Sequence, residues 1–179
     1  MSVLHFLFLR AINTGSRRLT NAELLAPLID VGYVDVAAYQ AAGNVVFRSI
    51  DEAPVDVDDV ERMLSQAYGF DTPVFVRSEA QLRSVIERCP FTGAQVAATS
   101  GKTQVTFLRS PAATERIAQV AAVTPDEDLV HFDGSEWFWL PVAGVSASTL
   151  PVPKIERFVG PMTMRTLGTL ERMLAKFAG

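Results

Sequence analysis

Apolar and polar positions along this chain follow first the period of a strand and then that of a helix, several times over. Val3 to Leu9 is a nearly unbroken apolar run ending at Arg10, the pattern of a strand covered on both faces. A long loop over 11–19 follows, holding Asn13, Gly15 and Ser16. Thr20 and Glu23 then have the spacing of a capping box, which predicts a helix running to about Val31 and closed by Gly32. Pro27 falls inside that helix, where its missing amide and its ring predict a kink or a local break. Residues 33–40 and 44–48 are β-prone runs joined by Ala41-Ala42-Gly43, which predicts a hairpin whose glycine supplies a positive φ.

Asp56 or Asp58 then caps a second helix with Val60, Met63, Leu64 and Ala67 on its buried side; Gly69 ends it, and Thr72 to Arg77 makes a strand. Ser78 and Gln81 repeat the capping-box spacing at the head of a third helix, which closes at Cys89-Pro90. Residues 91–102 are small and polar and are expected to be a surface connection. The order then restarts with a strand over 103–109. Ser110-Pro111 opens a helix striped by Ile117, Val120 and Ala121, and two strands, Leu129–Phe132 and Glu136–Leu140, are joined by Asp133-Gly134. Helical segments are predicted over 154–159 and 164–177, with no final strand. The expected fold is therefore α+β: two ferredoxin-like βαββα halves with mainly antiparallel sheets, the second incomplete, and C-terminal helices. The expected division is a βαββαβ half over 1–78, a linking helix and loop over 79–102, and a second half with the C-terminal helix over 103–179.

Composition narrows the class. The chain has 179 residues, 49% hydrophobic and 20% charged, which is enough to bury a core without disulfides and too interrupted for a membrane span. The first apolar run has no basic leader, and the single cysteine, Cys89, fits a reducing compartment, so a cytoplasmic protein with no membrane association is expected. A net charge of −4 disfavours nucleic-acid binding by bulk electrostatics. The charge is unevenly spread: residues 1–20 hold Arg10, Arg17 and Arg18 and no acid, whereas 51–61 hold six acids and no base.

In a ferredoxin-like half the first βα loop and the β2–β3 hairpin share one end of the sheet. That groups Arg10, Asn13, Thr14, Gly15, Arg17 and Arg18 with Gly43 and Asn44, beside a helix N-terminus whose amides favour an anion. Arg10, Asn13, Gly15, Arg17, Arg18, Gly43 and Asn44 are the candidate ligand-binding residues, and the expected partner is an anionic, phosphate-bearing small molecule. The competing structural reading has Asn13 and Asn44 satisfying turn backbone, Arg10 capping a strand end, and Arg17 and Arg18 solvated. Two other functions stay open: single-stranded nucleic-acid binding by these arginines with sheet aromatics, and phosphoryl or nucleotidyl transfer. No cofactor, metal or catalytic residue is called for, and nothing assigns an oligomeric state.

Other motifs read as structural. Ser100-Gly101-Lys102-Thr103 imitates the end of a P-loop, but Val96 stands where the earlier glycine belongs and the segment feeds a strand. His5 and His131 lack ligands at zinc spacing, and Cys89 sits at a helix end that raises a thiol pKa. The acidic sets at 56–61 and 126–128 coincide with helix starts or loops. Trp137 and Trp139 fall on one strand face and Phe138 on the other, with one face in the core.

Three segments carry a family resemblance: Leu9-Arg10-Ala11-Ile12-Asn13-Thr14-Gly15, Tyr39-Gln40-Ala41-Ala42-Gly43-Asn44-Val45-Val46-Phe47, and Thr163-Met164-Arg165. The chain resembles the bacterial family called domain of unknown function 1697, with L-R-G-I-N-V-G-G, S-G-N-V-V-F and a C-terminal T-x-R-N-W. Ala11 and Ser16 replace glycines, Ala42 a serine, and Thr166-Leu167 the Asn-Trp pair. The resemblance adds Arg165 to the candidate ligand-binding residues and implies no assigned activity.

Overall fold

The computed structural model describes residues 2–10, 12, 18–40, 43–50 and 54–178. The chain forms two compact units, one of residues 1–84 with 173–179 and the other of residues 85–172.

In the first unit, β1 (Val3–Leu9) leads to α1 (Asn21–Asp30), β2 (Val34–Ala38), β3 (Asn44–Ser49), α2 (Val57–Tyr68) and β4 (Val74–Ser78), with α3 (Glu79–Glu87) beginning directly after. Its sheet has the order β2-β3-β1-β4 with every neighbour antiparallel. The Thr20 capping box forms as expected: the Thr20 amide donates to Glu23 Oε2 at 2.8 Å and the Glu23 amide to Thr20 Oγ1 at 3.2 Å. At the other end Tyr33 N–H donates to Leu28 O and Gly32 N–H to Ile29 O, with Gly32 at φ +94°; this Schellman closure needs the left-handed conformation that glycine adopts freely. The break expected at Pro27 is absent, for the helix is continuous through it. The carbonyl that Pro27 leaves unbonded belongs to Glu23, an exposed residue whose backbone water can reach.

Helix α2 starts at Asp56, whose side chain accepts the amides of Asp58 and Asp59, and ends at left-handed Gly69. Leu24, Leu28, Val60 and Leu64 from the two helices cover Leu7, Leu9, Val45, Phe47 and Val74 on one sheet face, and Tyr68 Oη donates to Leu24 O at 2.7 Å, tying α2 to α1. Burial of Tyr68 raises its phenol pKa.

The second unit repeats the plan with α4 (Gly93–Ala97), β5 (Gln104–Leu108), α5 (Thr114–Ala121), β6 (Leu129–Asp133), β7 (Glu136–Leu140), α6 (Val152–Val159) and β8 (Met162–Thr166), followed by α7 (Leu167–Phe177), whose last residues belong to the first unit. Its sheet order, β6-β7-β5-β8, is that of the first. Three expectations are corrected here. The second half does have a final strand: β8 pairs with β5 over five positions, from Gln104↔Thr166 to Leu108↔Met162, and this long-range pairing overrides the helical propensity of Met162 and Met164. The supposed surface connection holds α4, opened by a Thr92–Gln95 capping box. Helix α5 begins at Thr114 behind Ala113, without a side-chain cap, instead of at Ser110-Pro111.

Trp137 and Trp139 pack with Leu108, Val120, Leu150, Ile155 and Met162 on one face of this sheet. Phe138, on the other face, is also buried, so both faces are covered. Asp128, at the base of β6, is buried and accepts from Trp139 Nε1 at 2.9 Å, from the Val142 amide at 3.1 Å and from Ser148 Oγ. One carboxylate thereby pins the 141–150 loop to the sheet. Gly101, in the P-loop imitation, is there for packing, since a Cβ would collide with the Pro141 carbonyl oxygen. Among the described residues no helix is long and apolar enough to cross a membrane.

Two outcomes follow for stability. Asp128→Ala strands the Trp139 and Val142 donors inside the protein and is expected to lower the unfolding free energy by about 2–4 kcal/mol in urea titrations. His5 is buried, 3.2 Å from Ser49 Oγ and stacked on Phe47, and burial lowers its pKa below 6.5. The unfolded chain therefore takes up the proton first as pH falls. Stability should be full above about pH 6.5 and drop below it, and His5→Gln should flatten that slope in thermal midpoints measured from about pH 5 to 8.

Candidate functional site

Because β1 and β2 are both antiparallel to β3, they point the same way, and the β1–α1 loop meets the β2–β3 hairpin at one end of the first sheet. The contact is intimate. Leu9 N–H donates to Gly43 O at 2.8 Å, and Phe8 pairs with Asn44. Gly43 has φ +68°, and a Cβ on it would lie 3.2 Å from both Leu9 Cβ and Leu9 O and 3.4 Å from Ile12 Cβ. Glycine is needed here twice over, for its dihedral and for its bareness.

Asn44 is wholly buried. Its Nδ2 donates to Tyr39 O at 3.2 Å while Tyr39 N–H donates to Asn44 O at 2.8 Å. Its amide nitrogen thus bonds across the base of the hairpin, as in the turn-satisfying reading. Arg10 is half-buried at the end of β1, with its backbone amide on Pro73 O at 3.1 Å. Arg18 is exposed, two residues before the Thr20 cap. Asn13, Gly15 and Arg17 lie outside the described residues.

Sequence reasoning missed one cation at this end. Lys176, in the last turn of α7, places its Nζ 5.6 Å from the centre of the Tyr39 ring and 5.2 Å from that of Phe177, and those two rings meet edge to face at 6.1 Å. Only the basic last turn of the final helix hinted at it, and nothing local links it to Tyr39.

The helix N-terminus has fewer free donors than its position suggests. The capping box occupies the amides of Thr20 and Glu23, and Glu23 brings its own carboxylate, whose pKa is lowered by hydrogen bonds from the Thr20 amide and hydroxyl. A second carboxylate, Glu61, accepts the Val74 amide at 3.0 Å where β4 enters beside Leu9.

Arg165 belongs to the second unit, at the end of β8. Its Nη1 donates to Thr163 Oγ1 at 2.9 Å and to Met164 O at 2.7 Å, and desolvation lowers its pKa to about 10. Arg77, at the matching end of β4, likewise donates to the preceding carbonyl, Val76 O, at 2.8 Å. Cys89 is half-buried, and burial is the main cause of its raised thiol pKa, the charge of Glu171 adding to it and a hydrogen bond with the Phe91 backbone opposing it.

The family model described as protein of unknown function (DUF1697) matches residues 4–138, which include the β1–α1 loop and the β2–β3 hairpin. The chain is similar in fold to the conserved bacterial protein SP0830 from Streptococcus pneumoniae, with a TM-score of 0.77 at 23% identity, covering 97% of each chain. No curated protein matches it.

Two glycines separate the demands of the hairpin. Gly43 and Gly69 share a left-handed φ, +68° and +73°, but nothing lies within 4 Å of a Cβ on Gly69. Gly69→Ala should cost about 1 kcal/mol for its backbone alone, and Gly43→Ala about 2 kcal/mol or more because Leu9 must also yield. Denaturant titration of the two variants checks the difference.

Proposed function

The chain belongs to the DUF1697 family of proteins of unknown function, and on that footing we propose that it binds a small, phosphate-bearing anion at the end of the first sheet where the β1–α1 loop meets the hairpin. The approach of Lys176 to Tyr39, and the place of Arg10 next to Leu9 where that residue bonds Gly43, support this most, with exposed Arg18 in the loop that leaves β1. The sequence adds Arg17 to the same loop. A multiply charged phosphate can take charge-assisted bonds from several cations at once, and the Tyr39 ring offers an apolar wall beside Lys176. We read each half as ferredoxin-like, a reading supported by the strand order, and place the protein in the cytoplasm, where a single thiol stays reduced.

Binding of single-stranded nucleic acid is the second reading. It rests on the same cations, because Trp137, Phe138 and Trp139 are buried and offer bases no stacking surface.

A thermal-shift screen with inorganic phosphate, pyrophosphate, nucleoside mono-, di- and triphosphates and a short oligothymidylate tests the proposal. A ligand at about 100 times its Kd adds about 2.7 kcal/mol, which corresponds to a midpoint rise of about 5–10 °C. Arg17→Ala with Arg18→Ala, and separately Lys176→Ala, should remove most of that rise. A response to the oligonucleotide alone, falling steeply with salt, favours the second reading. The absence of any response across the panel refutes both.

A further inference from the structure

Strands β2 and β6 hold equivalent places in their halves: each opens a hairpin and each ends its sheet. A terminal strand directs the N–H and C=O groups of alternate residues away from its only partner, and proteins disrupt such edges to stop other chains pairing with them. Strand β2 is disrupted. Its register shifts between Val34 and Ala37, Asp35 takes a left-handed φ of +52°, and the Asp35 carboxylate lies 3.4 Å from Arg48 Nε. Strand β6 lacks the register shift and the left-handed residue, and its ion pair, Asp133 Oδ2 with Arg88 Nε at 3.3 Å, sits at its last residue. It pairs with β7 at five successive positions, Leu129↔Leu140 to Asp133↔Glu136, without a shift, and contains no proline, lysine or arginine.

An open cleft of about 690 Å³ runs beside β6. Four consecutive residues of the strand, Leu129 to Phe132, line it. Successive side chains of a strand point to opposite faces, so a space touching all four follows the edge of the strand and not one of its faces. Ile117 of α5 and Phe91 supply apolar walls, and Asp126 lines the cleft next to exposed Glu127, with no lysine or arginine in the lining. The cleft thus joins the edge of β6, apolar walls from Ile117 and Phe91, and the carboxylate of Asp126 beside exposed Glu127.

From this geometry we propose that the free edge of β6 takes up an extended peptide bearing lysine or arginine, which adds a fifth strand to the second sheet. Backbone pairing supplies the affinity, and alternate side chains of the peptide enter the cleft beside Ile117 while the others meet the acidic rim. This site lies wholly within the second unit and is independent of the proposed anion site.

The probe is a fluorescein-labelled heptapeptide of alternating lysine and valine, compared by anisotropy with a glutamate–valine counterpart and with the same lysine–valine peptide N-methylated at alternate amides. The lysine–valine peptide is expected to bind, the glutamate counterpart at least about 10-fold more weakly, and the N-methylated form likewise, because methylation removes the donors a new strand requires. Asp126→Lys and Ile117→Lys should each weaken binding about 10-fold while thermal midpoints confirm that both fold. Hydrogen exchange should show amides of β6 slowed by the peptide. Equal binding of the N-methylated peptide would mean capture of side chains without strand addition and would overturn the proposal. So would no binding at about 1 mM peptide, or concentration-dependent dimerisation that protects β6 without peptide, which would make a second copy the natural occupant.

Discussion

Each half is organised by a central strand that is paired on both sides. β1 lies between β3 and β4, and β5 between β7 and β8, all antiparallel. From Leu4 to Leu9 every residue of β1 is buried, so the strand has no solvent face toward which a shifted register could turn polar groups. A slip by one residue would exchange Leu7 and Leu9, which lie under α1 and α2, for Phe6 and Phe8. The end of β1 is consequently a fixed reference, and the loop leaving it meets the hairpin through the amide of Leu9 in one register only.

What the sequence makes legible is what is decided locally. The Thr20–Glu23 and Ser78–Gln81 boxes, the caps at Asp56 and Gly69, and the tight turn at Gly134 depend on a few neighbouring residues, and all form. β8 was hidden because Met162-Thr163-Met164-Arg165-Thr166 has no strong strand propensity and becomes a strand only by pairing with β5, more than fifty residues earlier. α4 was hidden by its five-residue length, although Thr92 and Gln95 had the spacing that revealed longer helices. Pro27 does not break α1, because the carbonyl it leaves unbonded belongs to exposed Glu23, where water can take its place.

The candidate site was half legible. Topology brought the loop and hairpin together, and Gly43 and Asn44 meet there as anticipated, but as builders of the turn. The loop's polar residues suggest a cradle of amides at the head of α1, whereas the capping box that starts the helix takes up two of them, those of Thr20 and Glu23. Lys176 comes from the far end of the chain, and its approach to Tyr39 is set by where the last helix ends. Charge at this end is therefore supplied by side chains from separate parts of the sequence.

The aromatic residues are partitioned between the two units. All three tyrosines, Tyr33, Tyr39 and Tyr68, lie in the first, and both tryptophans, Trp137 and Trp139, in the second. Emission excited at the red edge of the indole band watches the second unit alone, while phenol absorbance follows the first. The two indoles also differ, one bonded to the Asp128 carboxylate and the other without a partner for its N–H among the described residues. The protein thus carries a native optical label in each half, by which melting of one can be timed against the other without any added dye.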